Sequence, residues 1–406
     1  MVATRKPLVR MLDPAWIEEG GERLLVLRDR EGLLRAPAAV PAIVGLILSL
    51  CDGSREEEEI RRTLERELGQ PFQAADLASL LEQLEAAMIL DGPPAQAARR
   101  AAIEAFRVGP RPAALAGAVY PTDPVALRQT IAGFGPGSRE RPSARDDRLR
   151  AIVSPHVDYR RGGRIYHRVF ERAAPSLRAA DALVVFGTDH CGGPGTITLT
   201  RQDFETPFGR FETDRAAVDA IAAAIGQDAA FGEELHHRHE HSIELALVWA
   251  ASQLGDRRPT IVPILCGSFQ EFTAGRREPS TFARFAATVD ALGAATAGRR
   301  VLAIAAADLA HVGPAFGDRD PIDPSGRARL RDADERLLHA AAWGRHDEFF
   351  GVLRDERDAR RICGLPPIYL TLKLLGDARG EVVGYEQCPA DQDNGSLVSI
   401  AGMLFW

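Results

Sequence analysis

Ala151-Ile152-Val153-Ser154-Pro155-His156 decides how this chain is read: a short run of small and apolar residues, then a proline, then a histidine. The pattern recurs. Leu183-Val184-Val185-Phe186-Gly187-Thr188-Asp189-His190 ends a strand-like run on a histidine, and Val301-Leu302-Ala303-Ile304 runs on through Asp308 to His311. In an open α/β sheet, ligands bind beyond the carboxyl ends of the strands, so residues this far apart meet only because the fold gathers those ends. Cys363-Gly364-Leu365-Pro366-Pro367 brings a thiol from much later in the chain. Two imidazoles, that thiol and the Asp308/His311 pair, if they converge, make a metal site.

Working outward, Val/Ile/Leu/Ala runs alternate with helical patterns from Arg150 onward, the signature of a layered α/β fold. Strands are expected at 151–154, 182–187, 196–200, 260–265, 301–306, 381–387 and 397–403. Helices are expected at 164–172, 214–225, 242–254, 281–297, 327–341 and 366–375. The most apolar strands should lie centrally, covered on both faces.

The first ninety residues read as a separate unit. Gly20 to Gly32 contains a strand, half of a hairpin. An apolar helix is expected over 38–50, and a capping box of Ser54 with Glu57 opens a second helix to Leu68 with Ile60, Leu64 and Leu68 on one face. A third, from about Ala74 to Met88, carries Leu77, Leu81, Leu84 and Met88. Together these suggest a small winged-helix α+β domain over residues 1–92, a linker over 93–113 and the α/β domain over 114–406. Around Ser49-Leu50-Cys51-Asp52-Gly53-Ser54 and Leu80-Leu81-Glu82-Gln83-Leu84 the unit resembles PqqD-like leader-peptide-recognition domains. That resemblance implies a bound peptide or protein partner, added as a strand to the hairpin edge. DNA is a poor partner, because Glu56-Glu57-Glu58-Glu59 repels phosphate.

Composition narrows the classes further. A net charge of −7 over 406 residues lacks the basic footprint of a general nucleic-acid binder. Of 50 basic residues only Lys6 and Lys373 are lysine, a bias that points to a GC-rich genome before it points to function. Five scattered cysteines without paired spacing suit a reducing compartment. The apolar run from Ala36 to Leu50 is interrupted by two prolines and is too short to span a bilayer. No signal-peptide pattern is seen, so the expectation is a cytoplasmic protein without membrane contact.

Seven short motifs then occur in order: Ala118-Val119-Tyr120-Pro121, Ser154-Pro155-His156-Val157-Asp158-Tyr159, Gly187-Thr188-Asp189-His190, Thr206-Pro207-Phe208-Gly209, Glu240-His241-Ser242-Ile243-Glu244, Asp308-Leu309-Ala310-His311-Val312-Gly313 and Cys363-Gly364. From Gly117 to the C-terminus the chain resembles the Memo family, called AmmeMemoRadiSam system protein B in bacteria, which is similar in fold to class III extradiol dioxygenases. The resemblance implies a mixed central sheet flanked by helices. It places metal ligands at His156, His190 and Cys363 and an acid/base at His311. Asp308 would orient His311 or a water, and His241 would line the pocket. It also implies a radical-SAM protein and an AMMECR-type protein as partners. Two motifs depart from the family pattern: Pro155-His156-Val157-Asp158-Tyr159 stands where Pro-His-Ala-Gly-Tyr is usual, and Gly187-Thr188-Asp189-His190 where Gly-Pro-Ser-His is usual.

The donor chemistry agrees with that set. Imidazoles suit iron, copper or zinc, and a thiolate shifts the preference toward softer ions. Cys363 precedes a helix opened by Pro366-Pro367, and a helix N-terminus favours the thiolate. Three protein ligands leave a position open. The expected function is a metal-dependent redox enzyme of dioxygenase type, with iron or copper preferred over zinc. Two other readings stay open: a non-catalytic peptide- or protein-binding cleft, and a zinc hydrolase. Weaker candidates are His236, His237 and His239, expected on a solvated loop; Cys191, a neighbour of His190; and Gly162-Gly163, a thin signal for an anion site at a helix start.

Overall fold

The computed structural model describes residues 5–29, 31–135, 148–256 and 258–406, in two compact units, Met1–Val108 and Gly109–Trp406. The segment from Gly135 to Asp147, whose richness in Gly, Pro, Ser and Arg reads as an irregular loop, lies, apart from Gly135, outside the described residues.

The first unit holds three antiparallel strands, β1 (Asp13–Glu19), β2 (Glu22–Arg28) and β3 (Ala38–Pro41), in that order across the sheet. Gly20 and Gly21, at φ +63° and +83°, form the two-residue turn between β1 and β2, a conformation that glycine adopts without steric cost. Helices α1 (Ala42–Leu50), α2 (Glu57–Leu68), α3 (Ala74–Ala86) and α4 (Pro93–Phe106) follow. Ile60, Leu64, Leu77, Leu81 and Leu84 are buried together with Leu25 and Leu27 of β2. Three local expectations are corrected. Residues 38–41 pair with β2 as a strand instead of opening the helix, because Pro41 cannot continue a helix backwards. The cap of α2 is Glu56, whose N–H donates to Glu59, while Ser54 bonds to Asp52. Met88 lies beyond α3 at φ 58°.

The second unit begins with α5 (Pro124–Ala132), β4 (Ala151–Ser154), α6 (Tyr159–Ala179), β5 (Ala182–Thr188) and β6 (Ile197–Leu199). A short hairpin of β7 (Phe204–Thr206) and β8 (Gly209–Phe211) precedes α7 (Arg215–Ile225), α8 (Gln227–Phe231), α9 (His236–His239), α10 (Ser242–Gln253) and β9 (Thr260–Cys266). After α11 (Gln270–Thr273), α12 (Ala283–Ala295), β10 (Val301–Ala306) and β11 (His311–Val312) come α13 (Pro324–Ala342), α14 (His346–Asp355), α15 (Leu365–Leu375), β12 (Gly380–Pro389) and β13 (Leu397–Phe405).

Eight strands make one mixed sheet in the order β11-β13-β4-β10-β5-β9-β6, with β12 on β13. The central four, β4, β10, β5 and β9, are parallel; β13 and β6 flank them antiparallel. Every residue of β4, β5 and β13 is buried, which explains their unbroken apolar runs. Helix α6 is much longer than the segment expected, and Gly162-Gly163 lie inside it. Asp158 caps it by accepting the Arg161 N–H, and a Cβ at Gly163 would strike the Phe134 ring, so this glycine serves close packing and not an anion. Among the described residues, no helix is long and apolar enough to cross a membrane.

Candidate metal centre

The parallel strands β4, β5 and β10 end side by side, and the residues just past them form the site. His156 follows β4, Asp189 and His190 follow β5, and Asp308 follows β10. Cys363 arrives from the turn before α15, tied down by Thr188 Oγ1 donating to its carbonyl and by the Gly364 N–H donating to Asp308 O. A Cβ on Gly364 would lie 2.3 Å from that same Asp308 oxygen, so only glycine permits the approach.

Four side chains converge. Cys363 Sγ is 3.3 Å from His156 Nε2. Two donors on one tetrahedral ion stand about 3.5 Å apart for ordinary zinc–nitrogen and zinc–sulfur bonds, so this spacing fits a shared metal. Donor nitrogens of His156, His190 and His241 lie within 4.8 Å of one another. The His190 and His241 rings stack at 4.8 Å, and His156 stands edge-on to both.

Second contacts fix which nitrogen faces the centre. His156 Nδ1 donates to Ala306 O at 3.0 Å, and His190 Nδ1 donates to Glu240 Oε2 at 3.0 Å. Both Nε2 atoms are thereby turned to the cluster, the arrangement that orients metal-binding imidazoles. Glu240 also accepts the backbone N–H groups of His190, His241 and Ser242, and its Oε1 is 3.1 Å from His241 Nδ1. The Glu240 region is held from beneath by the fully buried Arg111, which donates to the carbonyls of His237 and Glu240 and pairs with Glu244 at 2.5 Å. Tyr120 donates to the same Glu244 carboxylate.

The charges interlock. Burial opposes ionisation of Cys363, yet His156, His311 and hydrogen bonds from the imidazoles bring its pKa down to about 5. Burial likewise disfavours a charged His156, but Asp308 and the Cys363 sulfur outweigh it and raise the pKa to about 9. His190 is raised against burial by Glu240 and Cys363. Glu240, despite its burial, is held well below the usual carboxylate range by His190 and His241. His241 goes the other way: burial and the neighbouring imidazoles push it down to about 4.

The residues singled out from sequence mostly meet here. His156 is the shared neighbour of Cys363, Asp308, His190 and His241, and the donor atoms that all lie within 4.8 Å of one another are those of the three histidines. Asp308 faces His156, not His311: its carboxylate accepts the His156 and Val157 N–H groups and lies 3.6 Å from His156 Nε2. His311 is oriented by carbonyls instead, Nδ1 donating toward Leu309 O and Arg361 O, and its ring lines a cavity of about 460 Å³ with His156, His241, Leu115 and Phe316. A second cavity, about 450 Å³, reaches His190 and Cys363 from the other side.

The histidines of α9 are not all solvated as expected. His237 is buried with Nε2 donating to Thr198 O, and burial lowers its pKa to about 4. His236 Nδ1 bonds Asp189 at 2.9 Å, and with Glu233 they form a second group of donor atoms within 4.8 Å. Glu240 and Arg111 carry no role in the sequence reading; adjacency of a Glu to His241 was the available signal for the first, and a linker-like Pro/Arg context hid the second.

Comparison with known proteins gives the family. The profile of the Memo-like protein family matches residues 111–404. A MEMO1 family protein of Aquifex aeolicus is 23% identical over 408 residues, covering 99% of this chain and all of the relative. A MEMO1 family protein of Methanosarcina barkeri is 26% identical over 72% of this chain and 97% of its own length. One from Thermus thermophilus is 25% identical over 82% and 93% respectively.

Proposed function

The chain belongs to the Memo-like protein family, and from that premise we propose that it is a metal-dependent redox enzyme whose ion is held by His156, His190 and Cys363. The single observation that carries this is the low-pKa Cys363 thiolate 3.3 Å from an imidazole Nε2 whose other nitrogen is already engaged. Iron or copper bound there would supply one-electron and oxygen chemistry, which zinc does not. The chain's own residues have separate tasks. Glu240 orients His190 and His241, and Asp308 fixes the strand end that presents His156. With its Nδ1 proton spent on carbonyls, His311 offers Nε2 to the cavity as a proton acceptor. Leu115 and Phe316 give that cavity an apolar wall that limits water.

In this reading the enzyme works in the cytoplasm with a radical-SAM protein and an AMMECR-type protein. The first unit is a winged-helix, PqqD-like module that takes a peptide or a partner. Strand β1, at the sheet edge with Trp16 and Ile17 exposed, supports strand addition there.

Metal analysis of the full chain purified without chelators tests the centre. About one ion per chain is expected, lost in His190→Ala; equal content in the two proteins overturns the assignment. Added Fe(II) or Cu should give a thiolate charge-transfer band that Cys363→Ser abolishes. A zinc-only protein without that band supports the hydrolase reading, and peptide binding that survives demetallation supports the binding cleft.

A further inference from the structure

We propose that the cavity on the Cys363 side of the cluster binds a small organic carboxylate, its apolar body against Phe269 and Leu365 and its carboxylate on Arg357. The inference rests on the metal-centre reading only for what the bound molecule would lie beside.

The cavity holds about 450 Å³, within the range of small-molecule sites, and His190 and Cys363 form its inner wall. Phe269, Ile362 and Leu365 are among the residues that line it, so the wall offers apolar contact. Charge at the mouth comes from the stretch between α14 and Cys363. Of its arginines, Arg360 is paired with Asp334 and Glu356, and Arg361 with Asp318, while Arg354 in the last turn of α14 stands near Glu278 and Asp355. Arg357 alone among them has no side-chain hydrogen bond or ion pair among the described residues, although it lines the cavity.

Its position is imposed. Arg357 and Asp358 are consecutive non-glycine residues at φ 51° and 49°, a conformation that L residues avoid. The Arg357 N–H donates to Arg354 O, the Asp358 N–H to Leu353 O, and the Asp358 carboxylate accepts the Ile362 N–H. These bonds turn the chain off α14 and place the arginine at the opening. Backbone strain held this firmly clusters where a side chain must be placed for function. The carboxylates of the same lining are already engaged, Asp189 by His236 and Asp358 by the Ile362 N–H, and Arg361, which lines the cavity too, is paired with Asp318, so of the two lining arginines Arg357 is the one left for a ligand. One unpaired guanidinium offers a planar two-pronged donor and a single positive charge, which matches a carboxylate; a phosphate dianion needs more donors.

Calorimetric titration of the full chain with phenylacetate and 3-phenylpropionate, against phenylacetamide and 3-phenylpropionamide, tests this. It is run on metal-loaded and on chelator-treated protein. The acids should bind about tenfold to a hundredfold more tightly than the amides in both, the factor a charge-assisted hydrogen bond carries. Arg357→Gln should erase that preference without changing metal content, and Arg357→Lys should keep part of it. Equal binding of acids and amides, acid binding indifferent to Arg357→Gln, a preference that vanishes on chelation, or no binding of any probe overturns the proposal. Arg357-dependent binding by a chain that holds no metal sinks the metal-centre reading and leaves this one standing; metal retained with indifference to Arg357 does the reverse.

Discussion

Glu240→Gln is the sharpest probe of how the donor set is held. The carboxylate accepts four N–H groups, from His190 N, His190 Nδ1, His241 N and Ser242 N, and lies beside His241 Nδ1. A glutamine keeps the shape but replaces one oxygen with an NH2. Turned either way, that NH2 meets at least two donors: both His190 groups at Oε2, or the His241 and Ser242 N–H groups at Oε1. Two charge-assisted bonds at about 1.5–3 kcal/mol each put the direct loss at about 3–6 kcal/mol. Part of that falls on folding stability. The share that falls on the ion is the usual cost of disturbing a residue that orients a metal ligand, about 10- to 100-fold in affinity, or about 1.4–2.8 kcal/mol. Competition for zinc against a chromophoric chelator near neutral pH measures it, with a thermal melt of the metal-free protein alongside. A folded variant whose zinc affinity stays within about twofold of the native protein refutes the reasoning, because His190 would then need no carboxylate to hold its ring.

Three further outcomes follow from the same geometry. Cys363, with its pKa near 5, should react with iodoacetamide in the metal-free protein at a rate already level between neutrality and pH about 9, where an ordinary thiol is still gaining thiolate; His156→Ala should restore the rise, and a rate that climbs in both proteins refutes the shift. Zinc affinity should increase from neutrality to pH about 9, since His156 and His190 must shed protons to bind whereas Cys363 and His241 have already lost theirs; a flat profile counts against the pKa order. His237 has a folded pKa near 4, below its unfolded value, so the native state binds fewer protons between pH 4 and 6.5 and stability falls as pH drops through that window, by about 3 kcal/mol at most; denaturant midpoints of His237→Phe should lose that part of the acid slope, and an unchanged slope refutes it.

How much of this was legible in the sequence depends on the kind of signal. The central strands announced themselves because burial on both faces demands apolar runs, and a histidine directly after such a run can only sit at the strand end. That logic reaches His156, His190 and the Asp308/His311 segment. Cys363 needed the family pattern, because a cysteine before a proline-opened helix is equally a small core residue. Glu240 stood in a recognised motif, but its task did not show: a carboxylate among four histidines reads as a polar loop, and only three dimensions show its oxygens divided between two rings. Arg111 was further still, since nothing in Gly109-Pro110-Arg111-Pro112 distinguishes a linker arginine from one with no exposed surface. Long-range support of this sort leaves no periodicity. The same holds for α6, where two glycines that look like a break are buried against Val157 and Phe134.

Gathering so many ionisable groups past the ends of the central strands carries a desolvation cost that is offset only if charges are matched locally. Here opposite charges stand together even without an ion. The Asp308 carboxylate and the Cys363 thiolate answer a protonated His156, and Glu240 answers a protonated His190, while His241 stays neutral. A divalent ion that displaces one proton from each of His156 and His190 exchanges two positive charges for two. The total charge of the cluster is unchanged, and the carbonyls and N–H groups that fix the rings keep their partners. The site is therefore built to stand folded before loading and to take up its ion by proton exchange, which is why its affinity should follow pH more steeply than its structure does.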